Sequence, residues 1–352
     1  MTSGKNLFLI LIFALILKGC TVTDNAEETE NIQEIIPPPV EYTRFSYMSI
    51  DLFDTLINIL GYAETQEDFA YFVQHMYADL YRLHKLFDKF HEHPGINNIK
   101  TINNNAGIQP VRVHPDIIEL LTIGIEMYHT TKGTVNIAIG PVTNIWREYI
   151  FDGNATLPCM DRLTAAGELI YINDIIIDAA NNTVFLRREG MMLDVGSIGK
   201  GFAMEKAAQK AIDIGFESFA LTVGGDARLA SGPRGIGDRE SWGVGILNPN
   251  NPEEIIHAIL AANTAVATSG DYQRFFMVDG IRYHHIIDPR TLMPAITVRS
   301  TTVIYPNSII AENLSLAAFI MDINEAKEIL AAFGAEAMWV LADGSITATD
   351  GF

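Results

Sequence analysis

The sequence is short of cysteine and of positive charge. Its 352 residues include two cysteines, Cys20 and Cys159. This count excludes a framework of several disulfides, so the fold must depend on its hydrophobic core. Lysine and arginine total 24 against 43 aspartate and glutamate residues, which gives a formal net charge of −19. A chain this acidic is a poor partner for nucleic acid phosphates.

The N-terminal apolar run is too short for a membrane span. It covers 11 positions, residues 7–17, whereas a membrane-spanning helix needs about 20. The run follows Lys5 and leads into Gly19 and Cys20. A short apolar segment that ends in Gly-Cys resembles a bacterial lipoprotein signal, which predicts cleavage before Cys20 and lipidation of its thiol. A simple N-terminal membrane anchor is the alternative interpretation.

The next segment, residues 20–40, is polar and acidic. It ends near three consecutive prolines at 37–39, a composition typical of a solvated tether with a stiffened end. Residues 1–19 carry two lysines and no acid, so their removal would change the charge to −19 − 2 = −21. We therefore expect a signal peptide at 1–19, a tether at 20–40 and one domain at 41–352. We also expect an extracytoplasmic protein that a lipid anchors to the cell membrane.

The remaining chain alternates segments typical of helices and strands. Apolar periodicity predicts helices at 64–90, 116–130, 198–214, 309–321 and 324–333, the last of them closed by Gly334. Predicted strands lie at 46–61, 183–187 paired with 191–195, 219–223, 282–287 and 300–305, with a hairpin turn at Asp343-Gly344. About 48% of the residues are hydrophobic. This pattern predicts an α+β fold in which helices cover a mostly antiparallel sheet.

A glycine-rich turn between a predicted strand and a predicted helix is the first candidate for ligand binding. It occupies residues 193–201 and contains Gly196, Gly199, Lys200 and Gly201. Free amides at a helix N-terminus, together with Lys200, suit a phosphate group. The spacing fits neither a Walker nor a Rossmann motif. A tight structural turn explains the glycines equally well.

Two shorter segments also combine glycine with polar side chains. Gly224-Gly225-Asp226 would let a ligand approach the backbone, with Asp226 bonded to a ribose or a base. A hairpin turn is the more common use of such a tripeptide. The segment 267–272 places two hydroxyl residues beside a glycine, which suits either the floor of a polar pocket or an ordinary turn.

Two adjacent histidines stand in the predicted strand at 282–287. Successive strand side chains point to opposite faces, so only one of His284 and His285 can face a cleft. Histidine is a suitable general base for a hydroxyl at neutral pH; a metal ligand and a buried histidine are the alternatives. His91 and His93 lie in a polar segment, and we expect them at the surface.

Glu312 is the one acidic residue in a long apolar helical stretch. Ser315 and Leu316 follow three and four residues later, close to the same face of the helix. A carboxylate in this setting suits a metal ion, and a satisfied, partly buried acid is the alternative.

Together these motifs resemble the ApbE family of FAD:protein FMN transferases, from about residue 45 to the C-terminus. The signature segments are 132–141, 193–203, 223–226, 267–272 and 284–294. The resemblance implies a single α+β domain of the ApbE type with FAD in a central cleft. The predicted lipoprotein signal is consistent with it, since many family members are extracytoplasmic.

The resemblance also implies roles for individual residues. Phe90 would stack on the flavin ring, His285 would act as the catalytic base, and Lys200 would neutralise the diphosphate. The positions expected around FAD are Lys200, Gly225, Asp226, Thr268, Ser269, Gly270 and Asp271. The family's Mg²⁺ is bound by a carbonyl that matches Gly199, by a helical Asp and by a Thr four residues later. This sequence has Glu312 and Leu316 at those two positions, so Ser315 or a water is expected to supply the missing oxygen.

The implied reaction passes FMN from FAD to a threonine or serine hydroxyl of an acceptor protein and releases AMP, with Mg²⁺ required. The expected acceptor is an extracytoplasmic electron-transfer protein. Because a net charge of −19 repels FAD, a bound metal or a local cluster of cations must offset it. Two alternatives remain open: a Mg²⁺-dependent FAD pyrophosphatase, in which water replaces the hydroxyl, and an FAD-binding lipoprotein without turnover.

Overall fold

The computed structural model describes residues 40–152, 156–235 and 239–352. The predicted signal peptide, Cys20 and the tether up to residue 39 lie outside the described residues. Residues 40–352 cluster as one unit. Across the described part of the chain, no helix has both the length and the hydropathy needed to cross a bilayer.

Helices and strands are interspersed along the chain. The helices are α1 Gln66–Phe87, α2 Ile99–Asn104, α3 Pro115–Thr130, α4 Gly140–Asp152, α5 Met160–Gly167, α6 Gly199–Asp213, α7 Ser308–Ile320 and α8 Ile323–Phe333. The strands are β1 Thr43–Ser49, β2 Ile57–Ala63, β3 Val111–Arg112, β4 Ile175–Asp178, β5 Thr183–Leu186, β6 Phe219–Val223, β7 Asp226–Leu229, β8 Trp242–Asn248, β9 Asn251–Ala261, β10 Thr264–Gly270, β11 Phe275–Val278, β12 Ile281–His284, β13 Ile287–Asp288, β14 Met293–Pro294, β15 Val298–Tyr305, β16 Glu336–Leu341 and β17 Ile346–Ala348.

An eight-stranded sheet lies at the centre, in the order β1-β2-β6-β7-β10-β15-β16-β17. Every neighbouring pair of strands in it is antiparallel. Helix α6 packs against both α1 and α7, and all three helices contact strands of this sheet. The predicted α+β class, with helices on an antiparallel sheet, is therefore confirmed.

Strand β2 shows that both faces of the sheet are covered. Ile57 and Ile59 belong to the hydrophobic cluster that contains Phe202 of α6. Tyr62 belongs to a different cluster, with Trp242 of β8. Because successive strand residues point to opposite sides, one face packs on helices and the other on the β8–β9 hairpin. Burial on both sides specifies the register of β2.

The C-terminal end of helix α1 lies at the edge of the cleft that is described below as the candidate active site. Its start is fixed by Thr65, whose side chain accepts a hydrogen bond from the Asp68 amide at 3.1 Å. The buried stripe that continues from there holds the helix against the core through Phe69, Val73, Met76, Leu80 and Leu83. An apolar stripe at spacings of three and four is what the sequence predicted for this segment. The helix ends at Phe87 and leads directly into Asp88, Lys89 and Phe90.

Three predictions of strands are wrong in detail. The segment 46–61 is two strands, β1 and β2, separated by a turn in which Phe53 and Asp54 have φ values of 56° and 51°. Residues 191–195 do not pair with 183–187, because β5 pairs with β3 and β4 while Met192 bridges Ile139. The segment 282–287 is interrupted between β12 and β13. Local apolar alternation does not distinguish these arrangements, since partner choice depends on distant segments.

Candidate active site

A cleft of about 550 Å³ lies where the end of α1, the start of α6, β10 and α7 converge. Its walls carry Lys200, Thr268, His285 and Glu312, which the sequence places far apart. A more open cavity of about 720 Å³ is lined by Lys132, Arg188 and Arg290 among others. Those three cations pair with Glu325, Asp174 and Asp288, so they leave little uncompensated charge for a ligand. The cleft is the better candidate for chemistry.

Lys200 lies between two buried carboxylates. Its ammonium contacts Oε1 of Glu312 and lies 3.5 Å from Oδ2 of Asp226. Burial disfavours the charge of Lys200, but Glu312 and Asp226 outweigh that effect and raise its pKa above the ordinary value. Lys200 therefore stays protonated at any physiological pH.

The other oxygen of Glu312 is held by the backbone. Its Oε2 accepts a hydrogen bond from the Gly201 amide at 2.7 Å, in the first turn of α6. A carboxylate at a helix N-terminus is stabilised by the free amides and the helix dipole there. Gly201 also permits this close approach, because a Cβ at that position would lie 2.9 Å from Oε2 of Glu312.

Asp226 reaches the cleft from the turn between β6 and β7. Gly224 and Gly225 have φ values of 65° and 97°, which glycine adopts without strain, so the predicted hairpin turn is present. Oδ1 of Asp226 accepts from the Thr268 amide at 2.8 Å. Burial raises the pKa of Asp226 to about 6. Lys200 opposes this shift, and the negative charge of Glu312 adds to it. Two acids and one ammonium thus leave excess negative charge at this wall.

Strand β10 contributes two hydroxyl residues, Thr268 and Ser269, to the lining of the cleft. Oγ1 of Thr268 lies 2.9 Å from Oγ1 of Thr302. Oγ of Ser269 lies 2.9 Å from Oγ of Ser315, and Ser315 also donates to the backbone carbonyl of Glu312 at 2.9 Å. The Ser315 hydroxyl is therefore engaged within the protein.

The two adjacent histidines separate as strand geometry requires. His284 is buried, and its Nε2 lies 2.6 Å from the carbonyl oxygen of Ala295. His285 lines the cleft and its surface is exposed there. Although one side of the imidazole is open to the cleft, the surrounding walls shield it from bulk water, and this desolvation disfavours its charged form. Desolvation is the largest cause, and His284 and Arg274 add to it, so that the pKa of His285 is lowered to about 4. The imidazole is accordingly neutral near pH 7, the protonation state in which it accepts a proton.

Phe90 projects from the segment after α1 and is partly exposed. The guanidinium carbon of Arg147 lies 4.2 Å from the centroid of its ring, a cation–π contact. Both side chains line the cleft. An aromatic ring and a guanidinium are both groups that can stack on a conjugated ring.

Lys89 and Asp194 form a largely buried pair beside Phe90. The Lys89 ammonium lies 2.6 Å from Oδ2 of Asp194, and Thr143 donates to the same oxygen at 2.7 Å. Burial tends to raise the pKa of Asp194, but Lys89 outweighs that effect and lowers it to about 2. These contacts tie the end of α1 to α4 and to the glycine-rich turn.

One buried hydroxyl on the cleft wall has no hydrogen-bond partner among the residues that the structure describes. It is Oγ1 of Thr134, a residue that is 2% exposed. A buried polar atom without a partner is unusual, and Thr134 lines the cleft. It is therefore placed to bond to a ligand.

Residues 53–339 match the sequence model of the ApbE family. The chain belongs to the ApbE family. A relative from Treponema pallidum (strain Nichols), called FAD:protein FMN transferase, is 32% identical over 271 residues, covering 72% of this chain and 73% of the relative. A protein of the same name from Haemophilus influenzae is 27% identical over 239 residues, covering 66% of this chain and 68% of that protein.

Solved ApbE structures have the same fold. The ApbE protein of Thermotoga maritima superposes with a TM-score of 0.79 at 26% identity, covering 88% of this chain and 98% of that one. The flavinyl transferase ApbE of Pseudomonas stutzeri superposes with a TM-score of 0.74 at 20% identity, covering 89% and 96%. The second likeness concerns the fold alone.

Most residues that the ApbE resemblance singled out line this one cleft. They are Phe90, Gly199, Lys200, Asp226, Thr268, Ser269, Gly270, His285, Glu312 and Ser315. Gly225 is exposed on the turn between β6 and β7 and does not line the cleft, whereas its neighbour Gly224 does. Asp271 is 2% exposed and points away, with its two oxygens bonded to Arg282 at 2.7 Å and Arg299 at 2.6 Å. The structure thus does not bring Asp271 to the predicted FAD site.

Several cleft residues had no signal in the sequence. Lys89, Thr143, Arg147 and Arg274 line the cleft but belong to no recognised motif. His91 is at the surface as expected, with a side chain 78% exposed, whereas His93 is partly buried at 22%. Both also line the cleft, and both bond to Oδ2 of Asp88, at 3.2 and 3.1 Å. The aromatic Phe90 between them and α1 was the one hint that this segment faces a ligand.

Proposed function

We propose that this protein transfers FMN from FAD to a serine or threonine hydroxyl of an acceptor protein and releases AMP. The observation that carries the proposal is the convergence of Lys200, His285 and Glu312 in one cleft. The names of the Treponema pallidum and Haemophilus influenzae relatives, both FAD:protein FMN transferases, support the same reaction. A base, a cation and a carboxylate that share a cleft are the groups that phosphoryl transfer to a hydroxyl requires.

The wall around Lys200 also fits a divalent cation such as Mg²⁺. Among the described residues, no cluster of three or more His, Cys, Asp or Glu side chains is arranged to hold a metal. The wall nevertheless offers the carboxylate oxygens of two buried residues, Glu312 and Asp226. Their two negative charges exceed the single positive charge of Lys200. Glu312 and Asp226 would hold the ion, with Gly199 on the same wall. When bound, Mg²⁺ would neutralise charge on the diphosphate and polarise its P–O bonds.

The residues of the cleft divide the remaining work. Phe90 and Arg147 would receive the flavin ring, and the unpartnered Thr134 hydroxyl would bond to FAD. Lys200 would place a positive charge against the diphosphate, where negative charge grows during the reaction. These contacts would orient the phosphorus on the FMN side toward His285.

His285 would remove the proton from the acceptor hydroxyl as its oxygen attacks that phosphorus. A bond forms between the acceptor oxygen and the phosphorus of FMN. The bond from that phosphorus to the bridging oxygen breaks, and AMP leaves with the bridging oxygen. The low pKa of His285, about 4, keeps the base unprotonated at neutral pH. Its exposed position lets a protein hydroxyl approach.

Hydrolysis of FAD is the second candidate activity. The same exposure of His285 that admits a protein hydroxyl also admits water. Water in place of the hydroxyl would give free FMN and AMP. The ratio of the two reactions would then depend on whether an acceptor protein covers the cleft.

We further propose that the protein is extracytoplasmic and anchored through a lipid on Cys20. The support is the sequence of residues 1–20, with Lys5, a short apolar run and Gly19-Cys20. The acceptor would then be an extracytoplasmic electron-transfer protein. Membrane fractionation before and after Cys20→Ala tests this placement, and an unchanged distribution would contradict it.

The decisive experiment incubates the protein with FAD, Mg²⁺ and a candidate acceptor. Mass spectrometry should find an FMN-sized adduct on a hydroxyl of the acceptor and free AMP in equal amount. Free FMN and AMP without adduct would support hydrolysis instead. Bound FAD that stays intact over many hours would support a binding protein and contradict both reactions.

A further inference from the structure

The position of Lys200 relative to its two carboxylates bears on how a metal enters the cleft. The ammonium contacts Glu312 and lies 3.5 Å from Asp226. These are the same two carboxylates that the proposed function gives to the metal. The Lys200 ammonium therefore already occupies the place beside the carboxylates that the divalent ion would take.

We propose that Lys200 and the divalent metal compete for this carboxylate pair, and that FAD decides the competition by drawing the ammonium onto its diphosphate. This inference rests on the proposed function, because it requires FAD as the ligand. It makes the metal site conditional: without FAD the site is closed by the protein's own lysine.

The charges of the buried groups support exclusive occupancy. A divalent ion beside an ammonium in a partly dehydrated wall suffers strong repulsion. Removal of Lys200 without a replacement would leave Glu312 and Asp226 as uncompensated buried acids, which is also unfavourable. An exchange of the ammonium for the divalent ion keeps a cation beside both carboxylates, and the FAD diphosphate offers the displaced ammonium a new anionic partner.

The local structure allows Lys200 to move while Glu312 stays in place. Oε2 of Glu312 is bonded to the Gly201 amide at 2.7 Å, which holds the carboxylate to the start of α6. Lys200 has a flexible four-carbon stem on the first turn of α6, and it is the more exposed of the pair, at 27% against 6%.

The neighbouring side chains do not help the metal to displace Lys200. Leu316 lines the cleft but offers no oxygen. The Ser315 hydroxyl is engaged by Ser269 and by the carbonyl of Glu312. A metal that arrives alone therefore gains few ligands and has to overcome the ion pair of Lys200.

The competition requires reciprocal coupling between the two ligands. If FAD raises the affinity for the metal, then the metal raises the affinity for FAD by the same factor. We expect a factor of about 10 to 100, the usual range for coupled sites. Without Lys200 the metal would bind alone, and the factor would fall toward one.

The test titrates Mn²⁺ as the probe, with free Mn²⁺ followed by electron paramagnetic resonance, in the absence and presence of FAD and without an acceptor protein. FAD binding is followed separately through its fluorescence. The variants are Lys200→Met and, as a matched control, Lys206→Met. Lys206 lies on the same helix and pairs with Glu119 at 2.8 Å, away from the cleft lining.

The unaltered protein and Lys206→Met should bind Mn²⁺ at least about tenfold more tightly with FAD than without it. Lys200→Met should bind Mn²⁺ alone about tenfold more tightly than the unaltered protein, with little further gain from FAD. Mn²⁺ binding that FAD leaves unchanged in the unaltered protein, while FAD itself binds, overturns the competition and leaves the proposed function standing. Failure of FAD to bind overturns both.

Discussion

The Lys89 ammonium lies 2.6 Å from the Asp194 carboxylate, across 105 residues of sequence. The two side chains are 13% and 16% exposed, so the pair is largely dehydrated. Asp194 is further bonded to Thr143 at 2.7 Å and to the Gly196 amide at 3.1 Å. This pair joins the segment that carries Phe90 to the turn that carries Lys200, and it therefore holds the proposed flavin and phosphate walls at a defined separation.

Replacement of Lys89 by Met should lower the free energy of unfolding by about 3 kcal/mol, because it leaves Asp194 buried without its cation. Urea denaturation at pH 7 measures the loss. The double change Lys89→Met with Asp194→Asn should recover most of it, since no unpaired charge remains. The lowered pKa of Asp194 means that its contribution is present above its ordinary pKa of about 4 and is lost as the pH falls through about 2. A single variant as stable as the unaltered protein would show that the pair is unimportant.

Replacement of His285 by Ala should abolish FMN transfer while FAD still binds. Loss of a general base reduces the rate by about 10²- to 10⁴-fold, whereas the walls that hold the flavin and the diphosphate remain. Transfer is measured as adduct formed on the acceptor, and binding as the change in flavin fluorescence. His129→Ala is the control, because His129 is exposed on α3 and does not line the cleft. Retained transfer in His285→Ala would remove this histidine from the mechanism.

The pH dependence of kcat/KM should reveal the lowered pKa of His285. The neutral form is the active base, so the rate should fall as the pH drops through about 4, and not near the ordinary value of about 6.5. Asp226, with a pKa of about 6, also titrates in this range. Asp226→Asn separates the two, and the fall near pH 4 should persist in that variant. A fall near pH 6.5 in Asp226→Asn would contradict the low pKa of His285.

Replacement of Leu316 by Thr should strengthen metal binding in the FAD complex by about tenfold, as one added oxygen ligand would. Leu316→Val is the matched control, since Val has the shape of Thr without the hydroxyl. Mn²⁺ titration with FAD present measures both variants. Equal affinities for Thr and Val would place the metal away from this turn of α7.

Replacement of Gly201 by Ala should destabilise the fold by about 1 to 3 kcal/mol, the usual effect of overpacking. Its Cβ would lie 2.5 Å from the carbonyl oxygen of Ser308 and 2.9 Å from Oε2 of Glu312. Thermal unfolding measures the change, and metal binding should weaken in parallel. Gly199→Ala is the control, because its Cβ meets nothing closer than Phe87 at 3.5 Å. Equal stability of the two variants would show that α6 and α7 have room to separate.

Much of the local structure was predictable because it depends on neighbouring residues. The apolar stripe from Phe69 to Leu83 predicted α1, and Gly334, with a φ of 69°, closes α8 as expected. The pairing of β5 was not predictable, because β3 and β4 occupy its two edges and leave none for residues 191–195. A hydrogen-bonding edge accepts any extended segment, so only the packing of the whole chain selects the partner.

The candidate site shows the same division. The order of its motifs was sufficient to predict the family, and strand alternation predicted that one of His284 and His285 faces a cleft. Which histidine does so depended on the carbonyl of Ala295, which binds His284 in the interior. Asp271 follows Gly270 in a motif, yet two arginines hold it away from the cleft.

The sequence alone predicted the helices α1, α3, α6, α7 and α8, the turns at Gly224-Gly225 and Asp343-Gly344, and the set of groups available for chemistry, since each follows from residues a few positions apart. It did not predict α2, α4 and α5. The tertiary structure decided which charges meet. Lys200 and Glu312 are 112 residues apart, and the energy of their contact depends on distance and burial, neither of which any local pattern encodes.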